Sequence, residues 1–431
     1  MAVPVLIILA GGASSRMWPL REKSLLCFGA EPLMITQLKR YQTYGFEQVV
    51  IVGNPENESI IRDLVAQIIG MKITVVVQPE AKGMGDALLC AESALGDKRD
   101  AAIYVNQIHD LVDGALHLNM LKAYQANPAE TLLAGVEMQE YFPGGYLQVD
   151  SSGRITNIIE KPGAEHRPSN LVNIVAHIHA HAGRLLDAIR QEYTLAATPD
   201  DHYERAMAKL MQDSVYRVVP YQGHWSALKY PWHVLDIMDY FLSQIEGQTI
   251  APTAFIAPTA SISGKVVIGE NVKVFPGAAV VGPVYIGAGT IVGNNSLVRA
   301  SMVLDKCEVG FTTEIARSYI ADHCAMHACR VLDSIFAPGV NFSAGCTTAN
   351  LRIDKGFVMG MVKGQKINTG RNKLGAIIGE NAFLGVDVMT MPGVKIGEGA
   401  QVGPGTHIHH DVQNHQRVYV KQELVVVDGD R

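Results

Sequence analysis

Nine apolar residues stand six positions apart in an unbroken series: Ile250, Ile256, Ile262, Ile268, Val274, Val280, Ile286, Val292 and Val298. Small residues, glycine and proline fill most of the gaps. A six-residue piece can make one short strand and a turn, so it buries its apolar tooth only by stacking on neighbouring pieces. The implied structure is a parallel β-helix. The series returns at Ile378, Leu384, Ile396, Val402 and Ile408, with Thr390 taking one tooth. Between the two combs the spacing fails, and residues 299–377 read as an irregular stretch.

The front of the chain has another rhythm. Short runs rich in β-branched residues, at 3–9, 49–52, 73–77 and 101–105, alternate with amphipathic segments of helical length at 33–44, 59–69 and 85–95. Such alternation builds a mainly parallel, Rossmann-like sheet with helices on both faces, which takes ligands near the carboxyl ends of its strands. The boundary falls just before the first tooth, giving an α/β domain over 1–245 and a β-helical domain over 246–431. At 431 residues the chain is long enough for two sizeable cores.

Composition excludes several classes. A formal net charge of −6 with no basic run gives no footprint for nucleic acid. No apolar run reaches membrane-spanning length and the N-terminus lacks the pattern of a signal peptide, so the expected location is the cytoplasm, with no membrane partner. Six scattered cysteines in a chain this long form no disulfide framework and are expected to be reduced and mostly buried. The run His323-Cys324-Ala325-Met326-His327-Ala328-Cys329 places four possible soft ligands within seven residues. Successive strand residues point to opposite faces, so these four do not converge on one zinc ion. The cluster His407, His409 and His410 reads as a solvated turn.

Directly after the first strand comes LAGGASSRM, from Leu9 to Met17. Its small residues let backbone amides approach a phosphate, and Arg16 supplies positive charge at short range. The segment lacks the Gly-Lys-Ser/Thr of a P-loop and the G-x-G-x-x-G of a dinucleotide fold. Two glycines at a strand-to-helix turn are also compatible with a tight turn and nothing more.

The longer stretch ILAGGASSRMWPLREKSLLCFGAEPLM resembles the opening of the sugar-1-phosphate nucleotidylyltransferases. The resemblance implies that Gly11 and Gly12 meet the nucleotide, and that Arg16 and Lys23 meet the triphosphate whose pyrophosphate leaves. A second matching segment, QPEAKGMGDA from Gln78, implies that Gln78 and the Gly83 backbone read a pyrimidine base; Met84 stands where Thr is commoner. A third, GGY at 144–146 followed by IEKP at 159–162, is similar to the family's sugar pocket. There Gly145 and Glu160 would hold sugar hydroxyls, Lys161 the sugar phosphate, and Asn173 the sugar as well.

The same resemblance implies Mg²⁺, held by oxygen ligands from two acidic or amide side chains. Asp110 is the nearest match to the first, at an offset one residue long. Where the family often has W-x-D, this chain reads Trp225-Ser226-Ala227, and Ala227 cannot bind a metal. Asp236 or Asp239 could substitute from the following helix, or Lys229 could neutralise charge without a metal.

The back of the chain resembles the left-handed β-helix, hexapeptide-repeat acyltransferases. In particular, residues 326–412 resemble the acetyltransferase half of bifunctional N-acetylglucosamine-1-phosphate uridylyltransferases and their archaeal-type relatives. The landmarks are His327, Asp333-Ser334, AGCTTAN ending at Asn350, and KLGAIIG from Lys373. The left hand comes only from this resemblance. It implies His327 as the base that accepts the amine proton, Asn350 in contact with sugar or acetyl group, and Lys373 near the sugar phosphate or an adjacent subunit. Arg330 replaces the aromatic residue usual three positions after the base, and would either favour an anionic substrate or line the interface. Acetyl-CoA would lie along the coil near Gly385 and Gly403, and the acyl sites would fall between the protomers of a homotrimer.

Two readings from different classes follow. One is a bifunctional enzyme that uses UTP or dTTP with N-acetylglucosamine-1-phosphate or glucose-1-phosphate, and acetyl-CoA with glucosamine-1-phosphate. The other makes the front domain a non-catalytic sugar-nucleotide-binding or regulatory module, on a β-helix with or without acetyl transfer.

Overall fold

A computed structural model describes residues 3–195 and 201–427. These fall into two compact units, which are not the two halves of the chain. One takes in the residues up to Ala13 together with Leu33–Ala227; the other joins Ser14–Pro32 to the chain from Leu228 onward.

The first unit is built on strands β1 (Val5–Leu9), β2 (Gln48–Gly53), β3 (Lys72–Val77), β4 (Ile103–Gln107), β5 (Asp110–Val112), β6 (Thr131–Glu137), β7 (Gly145–Val149), β8 (Ile155–Glu160), β9 (Leu171–His179), β10 (Tyr216–Tyr221) and β11 (Trp225–Ala227). The main sheet runs in the order β10-β6-β9-β4-β1-β2-β3. Neighbours in β4-β1-β2-β3 are parallel, as are β10 and β6, while β9 lies antiparallel to both β4 and β6. Every residue of β1 is buried, because successive side chains enter opposite layers. Ile7 and Leu9 pack with Leu88, Leu186 and Ile189; Leu6 and Ile8 pack with Met34, Leu38 and Leu116. A strand covered on both faces reads as a continuous apolar run, which is how VLIIL reads in the sequence. Helices α1 (Leu33–Thr43), α2 (Glu58–Val65) and α3 (Gly83–Leu95) stand where the amphipathic segments predict them.

The second unit is a parallel β-helix whose teeth stack in three columns. In the first, Ile250 lies beside Ile268, Ile268 beside Ile286, Ile286 beside Val303, Val303 beside Ile320 and Ile320 beside Phe336, and the column continues through Ile378 to Ile396. The second column runs Ile256, Val274, Val292, Val309, Met326, Phe342, Leu384, Val402 and Val418. The third includes Ile262, Val280, Val298, Ile315 and Val331, then Thr348, Thr390 and Ile408. Nearly all are buried in one elongated core.

Residues 299–377 are therefore not an irregular stretch, and that expectation is corrected. Most of them carry regular coils. In the second column the spacing is even from Ile256 through Val274 to Val292, is one residue shorter on the way to Val309, stays at that length to Met326, and shortens by one more to Phe342. The six-residue comb loses phase while the coil does not. Each lost residue is taken out of a corner, at Ala300, Arg317, Ala328 and Asp333, whose left-handed backbone, with φ of 46, 50, 47 and 46°, recurs at the full-length corners of Asn295, Thr312 and His323. Each such left-handed residue costs about 1–3 kcal/mol that the surrounding stack must offset. The true departure is the next step, in which the column passes from Phe342 directly to Leu384. It accommodates an excursion that carries a two-stranded hairpin, Met359–Val362 with Gln365–Asn368. The excursion closes where Leu374 N donates to the Asn350 carbonyl at 2.9 Å.

Ser14–Pro32 packs within this second unit. Phe28 stacks on Phe241 of helix His233–Ser243 with ring centroids 5.5 Å apart, and Tyr319 Oη donates to the Cys27 carbonyl at 2.8 Å. All six cysteines are free thiols; Cys307, Cys324, Cys329 and Cys346 are buried in the coil.

Candidate active sites

Two groups of polar residues converge in the first unit. The first lies at the carboxyl ends of β1, β2 and β3. A Cβ added to Gly11 would stand 3.0 Å from both Gln78 Oε1 and the Gly53 carbonyl, so only glycine lets the β1 turn pass this close. Gln78 is itself only 4% exposed. Its Nε2 donates to the Gly83 carbonyl at 3.0 Å and to Asp86 Oδ2 at 2.8 Å, which fixes the amide against the start of α3. Gly11, Gln78 and Gly83 thus share one wall. Gly12, the next residue, has open space around it.

The second group is centred on Gly145, which pairs with Glu160 across the β7–β8 ladder. A Cβ on Gly145 would meet Glu160 Oε2 at 3.3 Å and the Asn173 Cβ at 3.5 Å. Lys161, with φ of 45°, turns back so that its Nζ lies 2.7 Å from Glu160 Oε1. The four residues nominated for the sugar phosphate are therefore in one place. They present a carboxylate, an ammonium and an amide around a gap that glycine keeps open.

Behind Asn173 lies a buried polar chain that no sequence motif marks. His177 Nε2 is 2.9 Å from Asn173 Oδ1, His177 Nδ1 is 2.7 Å from Tyr203 Oη, and His179 Nε2 is 2.8 Å from the same Oη. Burial pushes the His177 imidazole down to about 3 and that of His179 well below its ordinary value. With both rings neutral, one hydrogen assignment satisfies all three contacts. His179 N–H donates to Tyr203, Tyr203 O–H donates to His177 Nδ1, and His177 Nε2–H donates to Asn173. The alternating histidines of HIHAH are its trace in the sequence, but their partner Tyr203 comes from a distant helix.

Asp110 lies on β5, is 4% exposed, and faces Ala227 of β11 as its register partner. The two positions at which the resemblance asks for metal ligands are thus adjacent, and one carries a methyl group. Among the described residues no group of three or more His, Cys, Asp or Glu side chains is arranged to hold a metal ion. The residues present do not supply a two-carboxylate Mg²⁺ site.

Arg16 and Lys23 belong to the second unit with the rest of Ser14–Pro32. The Arg16 guanidinium lies 5.8 Å from the centroid of the Tyr230 ring. Lys23 opens a short helical turn, Lys23–Leu25, capped by the Glu22 carboxylate, which also accepts from Ser14 Oγ at 2.9 Å.

In the β-helix, His327 follows the tooth Met326 at the corner between the second and third columns and is exposed. Its ring lies against Gly310 one coil below, where a Cβ would come within 2.7 Å of Nδ1. Arg330 opens the next strand, Arg330–Leu332, and is also exposed. Asn350 lies past the far end of the third column. Its Nδ2 donates to Asp333, whose buried carboxylate also takes two hydrogen bonds from Arg317, each 2.7 Å. Lys373, exposed, bridges with Leu351 at the neck of the excursion. One chain therefore holds His327 with Arg330 at one corner and Asn350 with Lys373 at another. Arg317 belongs to no motif, because its link to Asp333 spans one contracted coil.

The chain matches the Nucleotidyl transferase family over residues 5–225 and the Bacterial transferase hexapeptide (six repeats) family over 265–300 and 375–410. It is 30% identical to the bifunctional sugar-1-phosphate nucleotidylyltransferase/acetyltransferase of Sulfurisphaera tokodaii over 413 residues, covering 94% of this chain and 97% of that one. It is 30% identical to the bifunctional protein GlmU of Methanococcus maripaludis over 427 residues, covering 97% and 98%. A solved UDP-glucose pyrophosphorylase in complex with UDP-glucose aligns over 56% of this chain and 100% of its own, with a TM-score of 0.49 and 18% identity. No helix among the described residues is long and apolar enough to cross a membrane. The Rossmann-like nucleotidyltransferase fold, the left-handed β-helix of hexapeptide repeats behind it and the end-to-end match to two-part relatives lead to one assignment: the chain belongs to the nucleotidyl transferase family, in the branch of bifunctional sugar-1-phosphate nucleotidylyltransferase/acetyltransferases.

Proposed function

We propose that the chain transfers a nucleotidyl group from UTP or dTTP to N-acetylglucosamine-1-phosphate or glucose-1-phosphate, and acetylates glucosamine-1-phosphate from acetyl-CoA. The observation that carries this reading is the convergence of Gly145, Glu160, Lys161 and Asn173 around one gap. A carboxylate accepts from sugar hydroxyls, an amide donates to them, and an ammonium meets the phosphate. The Asn173 carbonyl oxygen is taken by His177, so its Nδ2 donors are the groups it offers a ligand.

In the first reaction an oxygen of the sugar phosphate attacks the α-phosphorus of the nucleotide. The new P–O bond forms as the bond to the β-phosphate oxygen breaks, and pyrophosphate leaves. Both partners are anions, so the protein's work is to align them and offset their repulsion. Lys161 would do this for the acceptor phosphate, and Arg16 and Lys23, next in sequence after the Gly11–Gly12 turn, for the donor. Gln78 and the Gly83 backbone would hold the base. The family resemblance implies Mg²⁺ beside Asp110, but with Ala227 as its neighbour no step is assigned to a metal here.

In the second reaction the sugar amine attacks the thioester carbonyl, the C–N bond forms, and coenzyme A leaves as its thiol. His327, exposed at its corner, would accept the ammonium proton, while Arg330 faces an anionic acceptor. Asn350 and Lys373 would complete the pocket from a neighbouring copy. A homotrimer, the assembly that the family resemblance implies, fits that reading, in which one chain holds the two pairs at different corners. Reduced cysteines and an acetyl-CoA donor fit a cytoplasmic protein.

A second reading keeps the first unit as a nucleotide-sugar-binding module without transfer, and the Asp110–Ala227 pair favours it. One coupled assay separates the two. Glucosamine-1-phosphate with acetyl-CoA is followed by thiol release, and sugar-1-phosphates with UTP or dTTP and Mg²⁺ by pyrophosphate release. The first reading expects both signals, with His327→Ala abolishing only thiol release and Arg16→Ala only pyrophosphate release. Thiol release alone would leave the first unit as a binding module; pyrophosphate release alone would leave the coil as a scaffold.

A further inference from the structure

The second unit contains a cleft of about 1010 Å³ that borders Arg16 but is lined by no other residue assigned to either reaction. It opens beside Pro392–Lys395 and His409–Asp411, at the corner after the third column. His327 occupies a different corner, between the second and third columns. The cleft is roofed by the hairpin of the excursion and bordered by Ser15, Arg16 and Trp18.

Its charge is one-sided. Arg16, Arg352, Lys363, Lys366 and Lys395 line it, against the single lining acid Asp411, although Arg352 is already paired through two nitrogens with Asp354, in a chain whose net charge is −6. Lys363 and Lys366 are exposed on the hairpin, with Lys363 at its turn. Lys395 is different, because its side chain is only 3% exposed. Its Nζ donates to the Met361 carbonyl, lies 3.8 Å from the Asp411 carboxylate and sits 4.8 Å from the centroid of the Trp18 ring. The indole is fixed at its other end, where Nε1 donates to Asn414 at 2.8 Å. A lysine removed from water at this depth loses its hydration, and burial lowers its pKa. What the molecule gains is a cation and an aromatic ring held rigidly at one wall, with Met359, Met361 and Val362 forming an apolar surface beside them.

Concentrated positive charge calls for phosphates, and a fixed indole beside a methionine-lined wall calls for a flat ring. We propose that this cleft binds a nucleotide carrying a diphosphate, with its phosphates on Lys363 and Lys366 and its base against Trp18 and the methionines. Such a ligand would tie the hairpin to the Ser14–Pro32 segment, so occupancy would be felt by the stretch that carries Arg16 and Lys23.

The test is a titration of the full chain in EDTA with UDP, UTP and inorganic pyrophosphate, following tryptophan emission and, in parallel, heat. UDP and UTP are expected to quench the emission to saturation. Lys363→Glu with Lys366→Glu, both on the exposed hairpin, is expected to raise the half-saturating concentration more than tenfold with an unchanged circular dichroism spectrum. Trp18→Phe is expected to lose the quench while heat still reports binding. Gln78→Ala, in the first unit, is expected to keep it. Pyrophosphate alone is expected to bind at least tenfold more weakly than UDP. A double variant that titrates as wild type, pyrophosphate that matches UDP, or a quench that disappears in Gln78→Ala would each overturn the proposal. No turnover is required, so failure of nucleotidyl transfer and failure of this site are separate results.

Discussion

Asp110 and Ala227 are register partners in the antiparallel β5–β11 ladder. Directly opposed Cβ atoms in such a ladder stand about 5 Å apart, close enough for two carboxylates to share one divalent ion. Ala227→Asp is expected to create that pair. In EDTA the two like charges should lower the melting temperature of the variant by about 2–4 °C, for a cost on the order of 1 kcal/mol. Mg²⁺ should restore the loss and raise pyrophosphate release. Melting curves that do not respond to Mg²⁺ would show that the two side chains do not meet a common ion.

Gly11 stands against Gln78 and the Gly53 carbonyl with no room for a methyl group. Gly11→Ala must displace the Gln78 amide, since the backbone of β2 cannot yield. The expected result is a five- to thirtyfold rise in KM for the nucleotide, equivalent to about 1–2 kcal/mol, with KM for the sugar phosphate unchanged. Steady-state kinetics with each substrate varied in turn decides it; equal rises in both would mean that the turn serves stability and not the nucleotide.

The Arg317–Asp333–Asn350 cluster predicts a difference between removing an arginine and removing the charge it satisfies. Arg317→Met leaves the Asp333 carboxylate, 4% exposed, with Asn350 still donating to it, and should cost on the order of 3 kcal/mol. In an Asp333→Asn background the same change should cost much less, because asparagine tolerates the left-handed backbone at this corner and carries no charge to strand. Denaturant midpoints of the four chains make a double-mutant cycle. Additive losses would mean that the two groups are not coupled.

Acid should begin to weaken the first unit above the ordinary carboxylate range. Burial holds His117 and His177 down to about 3, against an ordinary value of 6.5. Above pH 6.5 both states are neutral and the full stability is present. Below it the unfolded chain binds protons that the folded chain refuses, so stability falls by about 1.4 kcal/mol per pH unit for each ring down to about pH 3. Urea unfolding at pH 7.5 and pH 5 should show this slope, and His177→Phe should reduce it by one ring's share. A slope that the variant leaves unchanged would locate the titrating groups elsewhere.

How far these features can be read from the sequence depends on their range. The six-residue comb declares the coil, because the same spacing serves both the strand and the stack. Asp333 and Asn350 stand out in their motifs as single residues. Arg317 does not, since it becomes meaningful only when a contracted coil sets it beside Asp333. The phase slip after Val298 reads as irregularity because hydrophobic period reports residues per turn, and corner geometry changes that number. In the first unit the short motifs identify Gly11, Gln78, Gly145 and Glu160, whereas Tyr203 reaches His177 and His179 from another helix. The packing of Phe28 on Phe241 and of Tyr319 on Cys27 is likewise a long-range fact, without any periodic trace.

The contracted corners and the long excursion together divide the coil into places that can and cannot absorb a change of length. A loss of one residue is absorbed at a corner, as at Ala300, Arg317, Ala328 and Asp333. A far larger gain is absorbed where the chain can leave at Asn350 and rejoin at Leu374. A single residue added inside a strand has no such outlet, since it would turn every later tooth of that coil from the core to the solvent. The number of turns in the coil is thus independent of the number of residues in the chain. Recognition elements as large as the Met359–Asn368 hairpin can be exchanged at that neck without rebuilding the column that supports them.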